Sequence, residues 1–270
     1  MKKCVIFYNE EKPIAVENYK KVKDFLKREN TEILSVSDVE KADFAVVIGG
    51  DGTLLRATQK IMKNENIVVI AINAGSLGFL TEIKAEEAVS ACKMFLLGDY
   101  EIDYRGLLDI CVNGEEKIAL NEIVFSNGGM ARKPVRIGLY SEKGKINCYR
   151  GDGVIISTPT GSTAYSLSAG GPIISHYLDA ILITPIAPHN LTTRPIVIDV
   201  KRKIYAKVEE EPDSDRESYV IVDGESWRQI GREDKITVKY SDKKLKLLLP
   251  KNRNYYSVLK EKLKWGDNLC

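Results

Sequence analysis

The sequence predicts an α/β half followed by a β-rich half, and three observations carry that expectation. The first hundred or so residues alternate helical and strand periodicities, the next stretch breaks into short alternating segments with turn signals, and the last twenty or so return to a helical pattern. In the first half, Lys3–Tyr8 is a short apolar run, and Ala15–Arg28 places Val16, Tyr19, Val22, Phe25 and Leu26 at helical spacing. Glu32–Val36 reads as a strand. The runs Phe44–Ile48 and Ile67–Ile72 are continuously apolar, as strands buried on both faces are. Helices are predicted over Thr53–Met62 and Ala85–Leu97, and this βαβα order implies a parallel sheet covered by helices.

From about Glu101 the pattern is β. Leu107–Val112 leads into Asn113-Gly114, a strong hairpin dipeptide. Further strands are predicted at Lys117–Phe125, Val135–Tyr140, Val154–Ser157, Ala180–Thr184, Ile196–Val200, Ile204–Val208, Tyr219–Val222, Lys235–Tyr240 and Lys244–Leu249. Gly98-Asp99 closes the last helix of the first half. The expected division is therefore 1–99 (α/β, nucleotide-binding), 100–249 (β-rich, substrate-binding) and 250–270, where Tyr255, Tyr256, Val258, Leu259, Leu263 and Trp265 form an amphipathic segment that packs back on the first domain.

Composition excludes several classes of function. With 40 Lys+Arg against 38 Asp+Glu in 270 residues, and no clustering of the bases, a nucleic-acid surface is not expected. The N-terminal apolar run is too short for a signal peptide, and no later run approaches the ~18 residues of a membrane span. The expectation is a soluble cytoplasmic protein. Five scattered cysteines, Cys4, Cys92, Cys111, Cys148 and Cys270, include no Cys-x-x-Cys pair, which suits a reducing compartment. The first four read as small buried hydrophobes. Two isolated histidines, His176 and His189, give no metal cluster and no hydrolytic triad. The acidic run Glu209–Glu217 reads as a solvated loop.

Chemistry concentrates in four places. Gly49-Gly50-Asp51-Gly52-Thr53 follows a buried strand and opens a helix, so its backbone N–H groups can approach a phosphate at a helix N-terminus. It is neither a Walker loop nor a Gly-x-Gly-x-x-Gly turn. Two roles fit Asp51: a helix cap, or a carboxylate that holds a cation or accepts a proton from an attacking hydroxyl. Asn73-Ala74-Gly75-Ser76-Leu77-Gly78-Phe79-Leu80 follows the next strand in the same relative position, so both turns are expected at the carboxyl edge of the sheet. Ser157–Leu167 packs six hydroxyl residues and Tyr165 into eleven positions, where hydroxyls can donate to phosphate or ribose and the tyrosine can stack on a base. Asn121-Glu122 interrupts an apolar strand, and the two side chains can address one ligand only if the strand ends or bulges there.

In this order, these motifs resemble the NAD kinase family, together with Gly151-Asp152-Gly153 and the stretch Pro188-His189 to Leu191-Thr192-Thr193-Arg194-Pro195. The resemblance runs from about residue 44 to 267. The first turn is shared with lipid kinases and, more loosely, phosphofructokinases, whereas Thr158–Tyr165 separates the NAD kinases from them. The resemblance implies a two-domain fold, with a Rossmann-like parallel sheet first and a β-rich domain second. It implies transfer of the ATP γ-phosphoryl to the 2′-hydroxyl of the adenosine ribose of NAD, with Mg²⁺ or another divalent cation accompanying ATP and no metal held by protein ligands. It makes Asp51 the proton acceptor and Gly49, Gly50, Gly52 and Thr53 the phosphate cradle. Asp51, Gly52, Arg56, Asn121, Glu122, Arg150, Asp152, Thr163, Ala164, Tyr165, Ser166, Leu167, Ser168 and Ala187 would surround NAD. Glu225 stands where many relatives carry an amide or imidazole and is left out of the site. A homo-oligomer, dimer or tetramer, is implied as well. The alternatives are a lipid or sugar kinase sharing the Gly-Gly-Asp-Gly turn, and a non-catalytic sensor of NAD or NADP.

Overall fold

The computed structural model describes residues 1–75, 78–128, 133–209, 217–251 and 255–264. Ser76 and Leu77, residues 210–216 of the acidic run, Trp265 and Cys270 lie outside the described residues. The chain forms two compact units, Met1–Tyr104 with Leu245–Cys270, and Arg105–Lys244.

The first unit begins β1 (Lys3–Tyr8), α1 (Pro13–Arg28), β2 (Glu32–Leu34), β3 (Phe44–Gly49), α2 (Asp51–Ile61), β4 (Val68–Asn73), β5 (Ile83–Lys84) and α3 (Ala88–Leu97). Its strands pair in the order β4-β3-β1-β2, all parallel. Every residue of β3 and β4 is buried, the outcome expected of their unbroken apolar runs. Pro13 starts α1 where a missing N–H costs nothing, and Ala15, Val22 and Leu26 form its buried stripe. Gly98 ends α3 in the left-handed region (φ 72°), which a residue with a β-carbon rarely enters. Phe44, Ile48, Ile70, Ile72, Leu26 and Cys92 form the core, each such large side chain worth about 1.5–3 kcal/mol of burial.

The second unit is antiparallel. It contains β6 (Glu101–Val112, shared with the end of the first), β7 (Glu115–Ala119), β8 (Glu122–Ser126), β9 (Val135–Ser141), β10 (Gly144–Gly151), β11 (Gly153–Ser157), one helical turn α4 (Tyr165–Ser168), β12 (Ile181–Ile186), β13 (Ile196–Ile198), β14 (Ile204–Val208), β15 (Ser218–Val222) and β16 (Glu225–Ile230). One six-stranded sheet runs β13-β12-β11-β8-β15-β16. Its core includes Ile123, Phe125, Val154, Ile156, Ile181 and Val220. Asn113-Gly114 turns the β6–β7 hairpin with both residues at positive φ, as that dipeptide predicts. Finally β17 (Ile236–Leu249) pairs with β14 through Val238 and with β4 through Lys246 and Leu247, and α5 (Tyr255–Leu263) follows.

Several expectations are corrected. Lys117–Phe125 is two strands, separated at Leu120-Asn121. The two strands placed at Lys235–Tyr240 and Lys244–Leu249 are one, because Ser241-Asp242-Lys243 is polar but contains no glycine or proline to end a ladder. β10 and β16 give no apolar signal because most of their residues are exposed or half-exposed. Cys4 and Cys92 are buried, but Cys111 and Cys148 are only half-buried. Among the described residues no helix is long and apolar enough to cross a membrane.

Candidate active site

In the first unit, β3 and β4 end in register, Gly49 opposite Asn73, so the two glycine turns leave the sheet at one edge. Gly50, which has no side chain to cap with, is the N-cap of α2, and Asp51 is its first residue. The capping role for Asp51 is therefore not adopted. Its carboxylate turns to the second loop instead. Oδ2 accepts the Phe79 N–H (2.9 Å), and Oδ1 accepts the N–H of Leu80 (3.2 Å) and Thr81 (3.1 Å) and the Thr81 hydroxyl (2.9 Å). Asn73 completes the frame, donating to Thr81 Oγ1 (2.9 Å) and accepting from the Gly75 N–H (2.8 Å), while the Ala74 N–H bonds Gly49 O (2.8 Å). Gly78 lies so close that a β-carbon there would fall 1.9 Å from Asp51 Oδ1. Oδ1 is saturated, and Oδ2 retains an open lone pair. Thr53 is half-buried, whereas Gly52 and Arg56 are exposed.

In the second unit the strand break delivers the condition set for Asn121-Glu122. Both residues are buried. The Asp223 carboxylate accepts the N–H groups of Leu120 (2.8 Å), Asn121 (2.8 Å) and Glu122 (3.1 Å), which fixes the break. From the other side, Thr158 donates its N–H to Asn121 O (2.9 Å) and its hydroxyl to Leu120 O (2.6 Å). Asp223 can do this because Asp223-Gly224 turns the β15–β16 hairpin with both residues at positive φ (48° and 81°). The role of Asp223 was missed in the sequence; the Asp-Gly turn after a strand was its one signal.

The hydroxyl-rich segment is built differently from expectation. Ser157, Thr158, Ser162 and Thr163 donate to carbonyls within the unit, and Ser166, fully buried, bonds Thr184 Oγ1 (2.8 Å). These hydroxyls shape the wall, and what faces outward is the Tyr165 ring, 46% exposed, with Ser168. Ala164 and Leu167 are half-buried. The Tyr165 backbone N–H lies on the side of the Glu122 carboxyl and offsets a little of the upward push on it. Arg150 and Asp152 are exposed, Asn127 Nδ2 reaching Asp152 Oδ1 at 3.4 Å, and exposed Ala187 holds a left-handed φ of 42°.

Glu122 is the electrostatic centre of this wall. Burial, and then the Asp223 carboxylate, push it up to about 8, and its Oε2 is buried without a hydrogen-bond partner. Asp223 is pushed up to about 6, chiefly by burial, against the three N–H bonds it accepts. Folding thus favours the neutral Glu122. That contribution is complete below its ordinary value near 4.5 and is lost as pH rises through about 8. The melting temperature of the unliganded chain is expected to fall between pH 5 and 8.5, and Glu122→Gln to flatten that fall, by roughly 2–4 °C per kcal/mol in a protein of this size. An unchanged slope in the variant would assign the dependence elsewhere.

A parallel sheet whose glycine turn carries a fixed carboxylate, in one chain with a β unit presenting a buried amide, a carboxyl and an exposed tyrosine, is the equipment of a nucleotide kinase. The model of the ATP-NAD kinase N-terminal domain matches residues 6–100, and that of the ATP-NAD kinase C-terminal domain matches 120–249. The chain is 44% identical to the NAD kinase of Fusobacterium nucleatum, covering 100% of both, and 40% identical to that of Geobacter sulfurreducens over 84% of this chain and 80% of the relative. Among solved structures, an NAD kinase of Archaeoglobus fulgidus in complex with ATP superposes with a TM-score of 0.76 at 28% identity, covering 98% of this chain and 99% of that one. Yeast NADH kinase complexed with NADH shares the fold, with a TM-score of 0.88 at 22% identity over 100% and 89%. The chain belongs to the NAD kinase family. It is an enzyme that phosphorylates NAD at the expense of ATP.

Proposed function

We propose that the phosphoryl acceptor is the 2′-hydroxyl of the adenosine ribose, giving NADP, and that Asp51 accepts its proton at Oδ2. The observation that carries this reading is the fixed Asp51 carboxylate, an acid held by four donors at a phosphate-type turn with one lone pair open. Phosphoryl transfer through a loose transition state asks mainly for positioning and charge neutralisation. Backbone N–H groups of the Gly49–Thr53 turn supply donors for phosphate. Asn121 and Glu122 hold the adenosine part of NAD, Glu122 through its orphaned oxygen. Asp152 and the Thr163–Ser168 segment line the nicotinamide side and its ribose, and Arg56, Arg150 and Ala187 border the ligand.

Among the described residues no three or more His, Cys, Asp or Glu gather as a metal site would, and the Asp51 carboxylate is already bonded to residues 79–81 of the second loop. The divalent cation is accordingly read as part of the donor, MgATP, and as a substrate. The protein is read as cytoplasmic, in keeping with its free cysteines, and as a homo-oligomer, by analogy with the family. Incubation with NAD, ATP and Mg²⁺, followed by detection with an NADP-specific dehydrogenase, tests the reaction. NADP is expected; tight NAD binding without product would indicate a sensor.

A further inference from the structure

We propose that Lys12 is the ligand for the terminal phosphates of the donor, an inference that rests on reading Gly49–Thr53 as the phosphate cradle. Lys12 is the N-cap of α1, in the loop that leaves β1. β1 lies beside β3, with Tyr8 opposite Ile48, and the order β4-β3-β1-β2 changes direction at this pair: the chain leaves β1 for β2 on one side and returns to β3 on the other. Loops at such a reversal diverge and leave a crevice at the carboxyl ends of the strands, where open α/β sheets bind ligands.

The lysine ammonium points into that crevice. A β-carbon placed on Gly75 would lie 3.3 Å from Lys12 Nζ, and one on Gly50 would lie 3.8 Å from it. Nζ is therefore poised over both glycine turns, one following β3 and the other β4. Lys12 is half-buried, its ammonium makes no hydrogen bond or ion pair among the described residues, and the first turn of α1 contains no acid to neutralise it. An unpaired ammonium over two side-chain-free backbones is suited to an anion that also takes backbone N–H groups. A cleft of about 330 Å³ adjoins the second turn, lined by Asn73, Gly75 and Lys84 on the side of the glycine turn and by the carboxylates Glu86 and Glu261 as well, so the phosphates are placed at Lys12 and the turns and not in the cleft itself. The Asp51 carboxylate is directed to residues 79–81 and forms no ion pair with Lys12, so the ammonium is left for the substrate.

Lys12→Gln and Lys12→Arg test this, with ATP varied at saturating NAD and NAD varied at saturating ATP. Losing one charge-assisted contact is expected to raise KM for ATP, lower kcat/KM for ATP, or both, by about 10- to 100-fold. KM for NAD should stay within about twofold, melting temperature should be unchanged, and Arg should recover part of the loss. Calorimetric binding of inorganic tripolyphosphate should weaken in parallel in Lys12→Gln, a measurement that does not depend on turnover. Wild-type ATP kinetics and tripolyphosphate affinity in Lys12→Gln would overturn the assignment, as would a loss confined to KM for NAD. Tripolyphosphate binding that depends on Lys12, in a wild-type chain forming no NADP, would keep Lys12 and remove the proposed reaction.

Discussion

Asp51→Asn is expected to fold, to bind NAD, and to lose about 10²- to 10⁴-fold in kcat, the usual worth of a positioned general base. The geometry says how the loss arises. An asparagine can keep its carbonyl oxygen on the side of the Leu80 and Thr81 donors, but its NH₂ then meets the Phe79 N–H, donor against donor, at the position of Oδ2. The atom proposed to take the ribose proton is thereby replaced by one that cannot. Because three of the four bonds survive, the loop remains in place and the melting temperature should fall only modestly. A cap would behave differently, since asparagine caps as well as aspartate and the substitution would be nearly neutral. Single-turnover rates and NAD affinity, measured together, separate the two: a variant that binds NAD and turns over near the wild-type rate would remove Asp51 as the base.

Gly161→Ala is the second large effect. A β-carbon at Gly161 would stand 2.1 Å from the Asn121 carbonyl oxygen, 2.5 Å from its carbon and 2.7 Å from its Cα. The obstacle is backbone, and it is the backbone that Asp223 and Thr158 already grip from two sides. It has no rotamer through which to escape. One methyl group therefore displaces the Asn121-Glu122 pair, and a displacement of about an ångström at a positioning residue is commonly worth about 10² in rate. The expected readout is a rise in KM for NAD with a fall in kcat/KM for NAD of about that size, while KM for ATP stays near wild type. Overpacking should also cost about 1–3 kcal/mol of stability. NAD kinetics that survive the substitution would show that the strand break does not present the pair to substrate.

These two positions also show what a sequence can and cannot display. The buried strands before each glycine turn were legible because β3 and β4 are apolar at almost every residue, and the Asn113-Gly114 hairpin because its backbone demands such residues. The hydroxyl-rich segment was legible as unusual but not in its use: composition counts donors, and only coordinates reveal that Ser157, Thr158, Ser162 and Ser166 are occupied inside the unit. The bonds of Asp51 to residues 79–81 and of Asp223 to residues 120–122 join positions far apart in the chain, and no local periodicity encodes such pairs. Exposed strands such as β10 and β16 escape for the opposite reason, since a strand without a buried face has no hydrophobic alternation to read. For Asp51, local chemistry offered two equal roles, and the loop it holds decided between them.

The inward-turned hydroxyls have a consequence for how this wall meets a ligand. Side chains whose rotors are already locked have little freedom left to surrender on binding, so the entropic cost of docking falls mainly on the ligand and on the few free groups, the Tyr165 ring foremost. Binding to such a surface should select for molecules that arrive in the bound shape. Tethering the two ends of a dinucleotide mimic should then improve affinity more than adding polar groups to it, and the improvement should appear as slower release rather than faster capture.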